Sequence, residues 1–161
     1  MITFRAFLKS SVLIAASLGA VACGPSFELA TPPGFVEIDQ SWDNYDYRAT
    51  TAKGLVIAAR EIVHDPKGDA EFWLEAIEDR MRTRGGYALL DKVGVQSADG
   101  VSGTQLRFGH DEDGNKPHLY YLTVFVTDDA IVLLEAGGTK KLVIANQAQI
   151  DRAVSTFVVG T

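Results

Sequence analysis

The chain predicts an α+β fold: an antiparallel sheet of about six to seven strands with two main helices packed on it, in the order β-β-β-α-β-β-β-β-α. Apolar stretches between residues 87 and 136 are separated only by short turn signals at Ser97–Gly100, Asp113-Gly114 and Asp128-Asp129, as in strands joined by hairpins. Two other segments repeat apolar residues at helical spacing, Trp73, Ile77 and Met81 in one and Ile150, Ala153, Val154 and Phe157 in the other. Strands and helices come in blocks rather than in alternation, which favours α+β over a parallel α/β sheet.

The elements follow in order. Phe35–Ile38 is a short strand, Trp42–Asn44 a turn, and Tyr45–Thr50 alternates as a strand does. Thr51–Gly54 closes a hairpin onto the longer apolar strand Leu55–Val63, which His64–Gly68 breaks. Asp69 is placed to cap a helix over Ala70–Arg84, with Glu71 in the first turn and Arg80, Arg82 and Arg84 at the C-terminal end, each sign matching the helix dipole. Trp73 is expected to be that helix's main core anchor. Gly85-Gly86 ends it. Strands then follow over Tyr87–Gln96, Gly103–His110, Pro117–Thr127 and Ile131–Ala136, and Thr139 opens a closing helix to Thr156.

The N-terminus carries a separate signal. Arg5 and Lys9 precede Ser10–Ala22, 13 residues without a charge, ending in Ala20, Val21, Ala22, Cys23 and Gly24. That stretch is shorter than the ~20 apolar residues of a spanning helix. A cationic start, a brief apolar run and small residues before the cut describe an export signal. With Cys23 after the cut, the segment resembles a bacterial lipoprotein signal peptide, residues 1–22, and the resemblance implies acyl chains on Cys23. Residues 23–32 then read as the lipidated cysteine and a spacer, and 33–161 as a single domain. Cleavage leaves 139 residues, enough for one core, and moves the formal net charge from −6 to −8. An acidic chain of this kind is not expected to bind nucleic acid or to adhere to anionic lipid by charge. Its one cysteine excludes an internal disulfide. Gly24 stands where lipoproteins kept at the inner membrane carry aspartate, so the resemblance implies the outer membrane, facing the periplasm.

The order of elements over residues 33–159 resembles the PsbP-like (DcrB-like) fold. The features are Pro33-Gly34-Phe35 entering a strand, the middle helix with Phe72 and Trp73, the pair Gly103–Phe108 and Leu119–Val126, and Leu134–Gly137 leading to a last helix ending in Phe157. What the resemblance implies is a sheet flanked by helices, in proteins that mostly dock onto larger assemblies and catalyse nothing.

Motifs for chemistry are incomplete. Asp111–Asn115 has the oxygens of a calcium loop, but Lys116 and Leu122 stand where its glycine and its closing glutamate belong. Gly100–Gly103 falls short of a nucleophile elbow because Thr104 replaces its last glycine. With Asp113-Gly114 as a two-residue turn, His110 and His118 leave opposite faces of their hairpin, and His64 lies in a separate loop, so no metal site is expected. Glu135 is the one acid inside an apolar strand and is expected to be solvated or paired with an arginine. Trp42, Tyr45, Tyr47, Tyr120 and Tyr121 are numerous enough to furnish a binding surface. Trp42, Tyr120 and Tyr121 are its main candidates, since adjacent strand residues point oppositely and one of the two tyrosines must face away from the other.

The sequence thus predicts a monomeric, lipid-anchored envelope module that docks on another envelope protein, with no catalysis, cofactor or metal. The alternative is a small-ligand-binding protein or enzyme using a pocket around Glu135 and the histidines.

Overall fold

A computed structural model describes residues 24–39, 44–112 and 114–160. The signal segment, Cys23 and Trp42 lie outside these residues. The elements are β1 (Val36–Glu37), β2 (Tyr47–Thr50), β3 (Val56–Val63), α1 (Ala70–Thr83), β4 (Ala88–Gln96), β5 (Ser102–Glu112), β6 (Lys116–Val126), β7 (Ala130–Thr139), α2 (Lys140–Ala145) and α3 (Gln147–Thr156). The strands form one seven-stranded sheet in the order β1-β2-β3-β7-β6-β5-β4. Every neighbouring pair is antiparallel.

Helices lie on both faces. On one, α2 and α3 cover Ile57, Phe125, Val132 and Leu134, and Phe157 stacks between Phe27 and Phe125 at ring distances of 5.4 and 5.7 Å. On the other, α1 packs Trp73, Leu74, Ile77 and Met81 toward Phe108, Leu122 and Leu133. Cover on both sides explains why β6 and β7 are apolar almost without alternation. Asp69 caps α1 as the sequence predicts, its carboxylate accepting from the Phe72 amide at 2.9 Å.

The structure corrects four expectations. The closing helix is two helices, broken at Asn146, whose φ of −116° and ψ of 21° leave the helical region while its side chain donates to the Leu142 carbonyl at 2.8 Å. The hairpin between β5 and β6 is longer than a two-residue turn, because Glu112 still pairs with Lys116. Residues 24–32 are not a spacer alone: Phe27 is buried and Glu28 forms a bridge with Val158. Phe27 and Leu29 alternate inward as a strand's residues do, and the flanking prolines mask that pattern in the sequence. Finally, no side chain of α1 is fully buried, so Trp73 is a half-buried contact rather than a core anchor.

Candidate functional site

Strand alternation sends Glu135 of β7 to the α1 face, together with Tyr120 and His118 of β6, His110 of β5, and Ala58 and Arg60 of β3. The helix covers only the end of this face near Leu122 and Leu133. The other end is an open hollow of about 330 Å³, walled by Tyr45, Arg48, Tyr87, His110, His118 and Tyr120, with Glu135 at its base. Gly137 helps to shape it, because a Cβ there would meet the Tyr120 ring at 3.2 Å.

Glu135 is only 4 % exposed, and a buried carboxylate needs partners. It has three. The Tyr120 hydroxyl donates to its Oε2 at 2.5 Å and the Tyr45 hydroxyl to the same oxygen at 2.9 Å. Arg60 Nε stands 3.0 Å from Oε1, in an ion pair whose N–H is not aligned as a hydrogen bond. The Arg60 guanidinium also lies over the Tyr45 ring, 5.2 Å from its centre. Glu135 is therefore the arginine-paired acid that the sequence allows. Burial, and then the Glu135 charge, pushes the Tyr45 phenol up to about 12. The same causes in the same order raise Tyr120 well above the ordinary phenol range. Both tyrosines stay protonated donors to the carboxylate.

The longer hairpin turn changes the histidines. His110 pairs directly with His118, so both leave the same face and enter the hollow, contrary to the sequence expectation. The reason is register: one extra loop residue moves side chains to the other face. His110 lies against Tyr87 at 4.9 Å between ring centres. His64 is elsewhere, buried, with Nδ1 2.7 Å from the Thr127 carbonyl and Nε2 3.0 Å from the Gly68 amide nitrogen. It ties the loop before α1 to the loop after β6. Among the described residues no group of three metal-ligating side chains occurs.

Of the aromatic candidates, Tyr121 is 7 % exposed on the opposite face, beneath α3, so it forms no surface. Tyr120 is half-buried and lines the hollow. It also borders a second cleft of about 570 Å³ between α1 and the sheet, where Arg60, Trp73, Ile77 and Leu133 contribute walls and Arg80 and Arg84 a basic rim. Tyr45, another of the aromatic candidates, lines the hollow too, whereas the sequence reading does not anticipate Arg48 and Arg60 as site residues. A partial signal existed for Arg60: with Glu61 it forms the one charged pair inside the otherwise apolar strand β3.

No family model matches the chain, and no curated protein matches it in sequence. Solved structures do match. LpqN, involved in cell envelope biogenesis of Mycobacterium tuberculosis, is 14 % identical over 84 % of each chain, with a TM-score of 0.66. The PsbP protein of the cyanobacterium Synechocystis sp. PCC 6803 (CyanoP) is 14 % identical over 89 % of this chain and 97 % of its own, at 0.55. The Ran-binding protein Mog1p of Saccharomyces cerevisiae is 14 % identical over 84 % and 91 %, at 0.53. Such identities carry the fold and nothing finer. The sheet order, the placement of the helices and these likenesses together give the chain the PsbP-like α+β fold.

Proposed function

We propose that the chain is a lipid-anchored cell-envelope accessory module that works by binding, without catalysis. The observation that carries this is the hollow around Glu135. Its one buried carboxylate is engaged by Arg60, Tyr45 and Tyr120, and among the described residues its lining includes no serine, threonine or cysteine. The rest of the lining is aromatic surface, two imidazoles and Arg48, whose guanidinium lies 5.9 Å from the centre of the Tyr45 ring. That chemistry suits an acidic segment of another envelope protein. The fold shared with LpqN supports an envelope role, and Cys23 followed by Gly24 supports an acyl anchor in the outer membrane.

A photo-cross-linking residue placed at His118 tests the docking. It should capture one discrete protein adduct in intact cells, weakened by Arg48→Glu, whereas the same probe at Leu90 should not. No protein adduct at position 118 would overturn the reading. The anchor is tested separately by metabolic labelling with a clickable fatty acid, which should mark the wild type and not Cys23→Ser.

One observation favours a second reading. A hollow of about 330 Å³ falls within the range of small-molecule sites, so a small anionic ligand is the alternative occupant.

A further inference from the structure

The first described residues run beside the sheet rather than away from it. β2 pairs with β3 only as far as Tyr47 and Ala59, so among the described residues no strand pairs with the outer side of β3 beyond that point. The Asp46 carboxylate accepts from the Glu61 amide there at 2.9 Å. Gly24 and Pro25 lie in a shallow depression with Asp46, Glu61, Ile62 and Val63. The Ser26 amide and hydroxyl both donate to one Glu61 oxygen, at 2.9 and 2.8 Å. Phe27 then enters the core against Phe157. The chain is thus fixed from Ser26 onward, and Cys23 stands three residues before it. Three residues span at most about 11 Å, less than the ~14 Å radius of gyration of a domain of this size.

We propose that acylated Cys23 seats the domain directly on the bilayer, with the outer edge of β3 at Glu61–Val63 against a zwitterionic phospholipid surface. This rests on the lipid-anchor reading. A leash shorter than the domain's own radius holds one surface at the membrane, and that surface is the one beside Gly24. Val63 there is 79 % exposed, more than any other large apolar side chain among the described residues. Asp46 and Glu61 flank the contact, so an anionic leaflet would repel it and a zwitterionic one would not. The hollow at Glu135, paired with Ala58, lies about 17 Å farther along β3, where a partner outside the membrane can reach it.

The test uses the chain from Cys23 onward, which contains every described residue. The Cys23 thiol is coupled to a maleimide lipid in phosphatidylcholine vesicles that carry a photoreactive phospholipid, and the adducts are mapped by mass spectrometry. Adducts should concentrate on Gly24–Ser26 and Glu61–Val63 and be several-fold scarcer at Leu90 and Ile144, which are also exposed and apolar. A long Gly/Ser spacer inserted after Cys23 should lower the Val63 adduct several-fold. Anionic vesicles should lower it too. Equal adducts at Val63, Leu90 and Ile144, or a spacer without effect, would overturn the proposal. The thiol is coupled chemically, so this result does not depend on whether cells acylate Cys23, which the labelling experiment decides.

Discussion

The Tyr120 hydroxyl and the Glu135 carboxylate meet at 2.5 Å across neighbouring strands, with Tyr120 paired in register to Gly137 rather than to Glu135 itself. The contact is therefore diagonal. It depends on a glycine opposite the ring, since a side chain at 137 would press on Tyr120. Arg60 reaches the same carboxylate from β3, so three strands converge on one charge.

Breaking that convergence should be costly. Arg60→Met leaves a buried carboxylate without its counter-ion and should destabilise by roughly 3–5 kcal/mol. Arg60→Met with Glu135→Gln should recover much of the loss, because neither residue then carries a charge. Urea unfolding of the two single variants and the double variant checks this. Additive losses would show that the ion pair is not the source of the effect.

Alkaline pH should release the same site. Tyr45 is raised to about 12 and Tyr120 is raised further in the folded state, against about 10 when unfolded. Raised phenols hold their protons more tightly when folded, so their contribution is intact below about pH 10 and is lost as pH climbs through the folded values. Melting temperature measured from pH 9 upward should fall less steeply in Tyr45→Phe than in the wild type.

Phe27→Ala should cost about 3–5 kcal/mol, the usual penalty for deleting a buried phenylalanine. Thermal melts of this variant, and of a chain starting at residue 33, should both show marked loss. A chain from residue 33 as stable as the full domain would mean that the Phe27–Phe157 stack contributes nothing.

Trp73→Ala should cost about 2 kcal/mol, below the 3–5 of a fully buried aromatic, because α1 buries no side chain completely. Its indole N–H is buried without a hydrogen-bond partner, which lowers the loss further. Chemical denaturation gives the figure directly, and a loss above about 4 kcal/mol would mean a tighter α1 interface.

Acid should loosen the C-terminus. The Ser97 hydroxyl first, then the Val159 and Gly160 amides, hold Asp99 below the usual carboxylate range. A depressed pKa stabilises above the unfolded value, so this contribution should fade as pH drops below about 4. Asp99 is exposed, so the effect is small. Amide-exchange protection factors at Val159 and Gly160, corrected for the intrinsic pH dependence of exchange, should fall in acid in the wild type and be low already at neutral pH in Asp99→Ala.

Strands and the first helix were legible because their signals are local: alternation, the Asp69 cap and the glycines after Arg84. The break at Asn146 was not, since apolar spacing continues through it and only Asn146 itself interrupts the pattern. The site was half legible. Glu135 stood out as an acid in an apolar strand, but its partners depended on β3 lying beside β7, a neighbourhood that no local pattern encodes. The two histidines were misplaced by a single loop residue, the smallest register error that can reverse a face.

The order β3-β7-β6 has a kinetic consequence. Tyr45 and Glu135 are 90 residues apart, and they can meet only once β7, the last of the seven strands in chain order, has been inserted beside β3. Pairings this distant in sequence form slowly. Hairpins β4 to β6 can assemble early, yet the hollow does not exist until that insertion closes the sheet. A nascent or truncated chain therefore lacks the hollow, and under the docking function proposed above a partner would select molecules whose folding is complete.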